Sequence, residues 1–192
     1  MIEHPIQAIS PPSRAALKLS TAIENFVLDL TDFVCADVGA NSGGFTAVML
    51  NHGAKKVYAI ETGYGVLDWG LRNDLRVVNM ERTNALHVIL LEQVDFISID
   101  TSWTKQKLIL PSAIKNLKPH GQILTLVKPH YEAEPKYLRK GLLAEESLPN
   151  VLAQVEQDIL KLGLEIVAKI VSPIKGKSGK NTEWVYLLSK TK

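Results

Sequence analysis

At 192 residues, 46% hydrophobic and 22% charged, the chain is long enough for one domain with a sizeable core, and its composition excludes intrinsic disorder. One cysteine, Cys35, excludes an internal disulfide and any Cys/His zinc cluster, and the five histidines have no ligand spacing, so no metal is expected. The net charge of +2 conceals an asymmetry: 7 basic and 12 acidic residues up to Thr104 give way to 15 and 8, which makes the second half the one suited to phosphates.

In chain order, Ser13 to Phe26 reads as an amphipathic helix with Ala16, Leu17, Leu19, Ala22, Ile23 and Phe26 on its apolar face and Ser13 as N-cap. Strand-like and helix-like stretches then alternate: "FVCADVGA", a helix from Phe45 to Asn51, "KVYAIET", "RVVNME", "DFISID", a helix from about Lys105 to Leu117, and "QILTLVK". A helix from about Glu145 to Leu162 precedes "LEIVAKIVSP" and "TEWVYLLS", which are separated by a Lys/Gly/Ser loop. The alternation predicts an α/β fold, a mostly parallel sheet of seven strands with helices on both faces. The last two strands lack a crossover helix, so the final strand is expected to run antiparallel. The reading is one domain over 13–192 behind an N-terminal extension, 1–12. No apolar run approaches the ~18 residues that cross a bilayer, and no signal core appears, which points to the cytoplasm.

"DVGANSGGF", Asp37 to Phe45, follows a strand and opens a helix, where a glycine turn lets a ligand approach backbone and helix N-terminus. Asn41 stands where a dinucleotide fold needs its bare middle glycine, so a pyrophosphate cofactor is disfavoured. Glu61, about 20 residues beyond the turn, is placed to accept from ribose hydroxyls. A nucleoside cofactor without pyrophosphate suits both, and S-adenosylmethionine is one, with Asp37 placed to orient its amino-acid end. Gly39, Asn41, Ser42, Gly43, Gly44 and Phe45 complete the candidate cofactor site; the alternative is a structural turn with a solvated glutamate.

Lys128 closes "QILTLVK" directly before Pro129, which cannot continue a ladder, and Asp100 closes "DFISID" at the same carboxyl edge, where open α/β sheets bind ligands. Glu183 begins the antiparallel last strand, and Lys18 sits in the first half of the leading helix. Two lysines and two carboxylates are thus expected to converge. The dense basic stretches "KYLRK" (136–140) and "KGKSGK" (175–180) either meet phosphates or form solvated surface. Trp103 either stacks on a base or the cofactor, or packs at the sheet edge.

Taken in order, "SRAALKL", "DVGANSGGF", "MERTNA", "LVKPHYE" and "NTEW" resemble the FtsJ-type RNA ribose 2′-O-methyltransferases, and within them the TlyA-like branch, from about Pro11 to the C-terminus. The resemblance implies a Rossmann-like S-adenosylmethionine-dependent methyltransferase fold, an RNA substrate, ribosomal RNA above all, and a catalytic Lys-Asp-Lys-Glu tetrad falling on Lys18, Asp100, Lys128 and Glu183. It also places Asn84 near the cofactor's adenine, with a turn residue or helix cap as the alternative, and counts Asp100 among the cofactor contacts. Lys128 would act on the ribose hydroxyl as neutral base or as charged stabiliser. TlyA-like relatives carry an N-terminal S4-type RNA-binding domain, whereas about a dozen residues precede "SRAALKL" here, so a partner protein or an oligomer is expected to supply RNA binding. Some relatives carry a haemolysin name, but no spanning segment supports a pore. The competing functions are methylation of a small molecule or protein, and cofactor binding without turnover.

Overall fold

The structure, a computed structural model, describes residues 14–175 and 181–191. Ser13 with its expected N-cap, the extension 1–12 and residues 176–180 of the "KGKSGK" loop lie outside them.

The elements run α1 (Arg14–Phe26), β1 (Val34–Val38), α2 (Gly44–Asn51), β2 (Lys56–Ile60), α3 (Trp69–Arg72), β3 (Val77–Met80), β4 (Val94–Ile99), α4 (Gln106–Asn116), β5 (Leu117–Val127), α5 (Pro129–Glu132), β6 (Leu138–Arg139), β7 (Leu142–Leu143), α6 (Leu148–Lys161), β8 (Leu164–Val171) and β9 (Trp184–Lys190). The seven long strands form one sheet in the order β3-β2-β1-β4-β5-β9-β8, parallel except for β9, which is antiparallel to both of its neighbours. The expected reversal of the last strand is therefore present. Its insertion between β5 and β8, leaving β8 at the edge, was not foreseen.

Both faces of the sheet are covered, which is why the central strands read as unbroken apolar runs. On one face α1 and α2 bring Leu19, Ala22, Ile23, Phe45 and Met49 against Cys35, Val57, Phe96 and Leu124. On the other α4 and α6 bring Ile109, Leu110, Val155 and Ile159 against Ala36, Tyr58, Ile97 and Tyr186. Cys35 is fully buried, and burial pushes its thiol up to about 12, so it packs as an inert apolar group.

Several boundaries shift for local reasons. The helix expected from Glu145 begins as a single 3-10 turn and becomes α-helical at Leu148, where Pro149 supplies a preset first turn. β5 starts five residues before Gln122, across an irregularity against β4 where a Cβ at Gly121 would come within 2.9 Å of the Asp95 carbonyl oxygen. Missing from the sequence reading were α3, α5 and the β6–β7 hairpin, all too short to carry a periodic signal. No helix among the described residues is long and apolar enough to cross a membrane.

Candidate active site

Gly39, Asn41 and Gly43 all adopt positive φ (83°, 50° and 94°), so the chain leaving β1 coils tightly before entering α2. Each residue has its own reason. A Cβ at Gly39 would stand 2.7 Å from the Asp100 carbonyl oxygen, so only glycine lets the tips of β1 and β4 approach this closely. Asn41 tolerates the left-handed region better than most residues, and its N–H donates to Glu61 Oε2 at 2.9 Å. Gly43 is not among the residues that line the cleft at the carboxyl edge; its φ of 94° favours glycine, and a Cβ there would meet Leu71 Cδ1 of α3 at 2.1 Å.

Glu61 sits at the tip of β2 as expected and also accepts from Gly63 N–H (2.8 Å) and Thr62 Oγ1 (3.1 Å). Partial burial opposes ionisation, but the Gly63 and Asn41 N–H groups outweigh it and hold the carboxyl below its usual range. Asp37 differs from expectation. It is 1% exposed, its oxygens accept from Thr46 Oγ1 (2.7 Å) and Ser98 Oγ (3.0 Å), and it supports the turn from beneath without lining the cleft. Burial pushes its carboxyl up to about 6. Asn84 is exposed, and its Oδ1 closes a turn by accepting from Leu86 N–H at 3.0 Å.

The four separated charges do meet. Lys18 Nζ donates to Glu183 Oε2 at 2.6 Å and lies 3.9 Å from Asp100 Oδ2, while Lys128 Nζ donates to Asp100 Oδ1 at 2.5 Å and to the Thr101 carbonyl at 3.0 Å. Charges therefore alternate along Glu183, Lys18, Asp100 and Lys128. Lys18 and Lys128 are each only 9% exposed and Glu183 4%. Burying such a cluster costs desolvation that its own attraction barely repays, so it is poor evidence for stability.

These groups border a cleft of about 870 Å³ at the carboxyl edge, which Gly39, Asn41, Ser42, Gly44 and Phe45 also line. Sequence reasoning missed much of the remaining wall. His130 and Tyr131 come from α5, Asn181 from just before β9, and Lys140, Gly141 and Leu142 from the hairpin. Their proximity to Lys128 and Glu183 in the chain was the available signal. His130 Nδ1 is buried without a hydrogen-bond partner among the described residues, and burial lowers its pKa, with Glu183 opposing that shift and Lys128 adding to it. Trp103 is not packed at the sheet edge: it is 80% exposed at φ 64°, and its ring lies 4.5 Å from that of Tyr131 at the cleft. Among the described residues no group of three His, Cys, Asp or Glu side chains could hold a metal.

The FtsJ-like methyltransferase model matches residues 11–189. The chain belongs to the FtsJ-like methyltransferase family. Within reach of it are Hemolysin A of Brachyspira hyodysenteriae, 37% identical over 94% of this chain and 77% of that protein, and the 16S/23S rRNA (cytidine-2′-O)-methyltransferase TlyA of Mycobacterium tuberculosis, 36% identical over 93% and 69%. A solved structure from Streptococcus thermophilus that bears a hemolysin name superposes with a TM-score of 0.89 at 36% identity, covering 99% of this chain and 70% of that one. The cofactor of this FtsJ-like methyltransferase is S-adenosylmethionine. The turn fits such a group, because the Asn41 N–H that a phosphate would need is committed to the Glu61 carboxylate and the turn itself holds no cation.

Proposed function

We propose that the protein is an S-adenosylmethionine-dependent RNA 2′-O-methyltransferase of ribosomal RNA, working in the cytoplasm, with Lys18, Asp100, Lys128 and Glu183 as its catalytic group. The single observation behind this reading is the alternating charge cluster on the wall of the cleft, next to the glycine turn. The relative from Mycobacterium tuberculosis, named for cytidine 2′-O-methylation of 16S and 23S rRNA, supports the substrate class.

Bound S-adenosylmethionine supplies an electrophilic methyl group on sulfur. Gly39 to Ser42 would hold it at the turn, and Glu61 would use its remaining lone pairs for ribose hydroxyls. A lysine ammonium has three donors, and Asp100 and Thr101 take two of those on Lys128, which leaves the third for the 2′-oxygen of the substrate. As the oxygen–carbon bond forms and the carbon–sulfur bond breaks, with the thioether S-adenosylhomocysteine leaving and the hydroxyl proton passing to solvent, the oxygen carries developing negative charge that the fixed Lys128 ammonium would stabilise without having to reorganise. Asp100 fixes Lys128, and Lys18, tied to Glu183, fixes Asp100. The exposed Trp103, resting on Tyr131, offers a face for an unstacked base.

The reading is tested by incubating the protein and labelled S-adenosylmethionine with total RNA, separate ribosomal subunits and intact ribosomes, then mapping the label. Methylation at a ribose 2′-oxygen of ribosomal RNA is expected. Label found only on base nitrogens, on ribosomal protein or on small molecules would overturn it.

A further inference from the structure

The cleft contains more positive charge than its catalytic group uses. Lys18 and Lys128 are matched by Glu183 and Asp100, but two further cations line the same cleft. One is Arg14, one helical turn before Lys18, whose guanidinium donates to the Lys175 carbonyl at 3.1 Å. The other is Lys140, which has no ion pair among the described residues and stands at the tip of the β6–β7 hairpin.

That hairpin is built to hold its tip in one place. Leu138 pairs with Leu143 and Arg139 with Leu142, and Lys140 and Gly141 between them both take positive φ (51° and 76°), the two-residue turn whose twist suits a tight hairpin. Two-residue strands are too short to stand alone, and the tip is tied elsewhere: Asn181 Nδ2 donates to the Gly141 carbonyl at 3.1 Å. Asn181 lies two residues before Glu183, so the segment that carries a member of the charge cluster also anchors the hairpin. A merely solvated basic loop would need no such tie.

We infer that the β6–β7 hairpin is an RNA-backbone arm: Lys140 contacts a phosphate next to the nucleotide being methylated, and Asn181 positions the tip relative to Glu183. This rests on the RNA reading above and adds to it the surface that holds the strand. Lys140 is exposed and its side chain has no hydrogen bond or ion pair among the described residues, so its replacement leaves folding and cofactor binding intact.

The test measures methyl transfer to ribosomal RNA at several salt concentrations for the wild type, Lys140→Gln, Lys140→Arg and Asn181→Ala. For Lys140→Gln the KM for RNA should rise about three- to tenfold with kcat and S-adenosylmethionine affinity unchanged, and the slope of log KM against log salt should fall by about 0.7 to 0.9, one phosphate's worth. Lys140→Arg should restore both, and Asn181→Ala should raise KM with the salt slope retained. An unchanged KM and salt slope in Lys140→Gln, with wild-type enzyme active on RNA, would overturn the hairpin assignment alone. A wild type that binds S-adenosylmethionine but methylates no RNA would overturn it together with the reading it rests on.

Discussion

Asp37 was legible in the sequence as an acid beside a glycine turn, but its role was not. Its oxygens are spent on Thr46 and Ser98, a pairing that depends on how β1, α2 and β4 pack. Burial raises its carboxyl from 3.8 to about 6, an effect that the two hydroxyls only partly offset. Between those values the folded protein keeps a proton that the unfolded chain gives up, so stability falls as pH rises through that window. By pH 7 the loss is on the order of 3 kcal/mol. Asp37→Asn has no such loss, so urea unfolding from pH 4 to 7 should show wild-type stability declining relative to the variant. Glu132, raised by burial to about 7, adds a decline of the same sign to both proteins and drops out of the comparison. Parallel pH profiles would refute the assignment of a buried, ionising Asp37.

The turn between β1 and α2 is where one missing atom decides the geometry of an element. Gly39→Ala combines a φ of 83° with a Cβ 2.7 Å from the Asp100 carbonyl oxygen. It should destabilise by about 1–3 kcal/mol and weaken S-adenosylmethionine binding, because relief pushes Asp100 away from the turn. Gly65→Ala provides the control: its φ is 71°, but among the described residues nothing lies within 4 Å of an added Cβ, so thermal stability should fall while cofactor affinity holds. Equal affinities for both variants in a cofactor titration would show that the close approach of β1 and β4 does not shape the cofactor site. The long strands and helices were readable because buried faces impose a period on the sequence. Short elements impose none, so α3, α5 and the hairpin were invisible even though "KYLRK" had stood out by charge. Asn84 was a motif position whose side chain is used for a turn.

Across the whole molecule, sequence order predicted a parallel sheet and a reversed last strand, and both are present. Where β9 inserts is a matter of which neighbour buries it best, and nothing local in "TEWVYLLS" encodes that. The insertion matters because pairing with β5 brings Glu183, just ahead of β9, to the carboxyl edge beside Lys128 and opposite Lys18, 165 residues away in the chain. Three strand ends and the first half of α1 therefore cooperate in one charge cluster, whose role as the catalytic group decides the function. The most direct test is Lys128→Ala, assayed by single-turnover methyl transfer on the RNA that the wild type modifies and by calorimetric titration with S-adenosylmethionine. The rate should fall by at least about 10³-fold while cofactor affinity stays within about twofold. Transfer at the wild-type rate by a variant that binds cofactor normally would contradict the account.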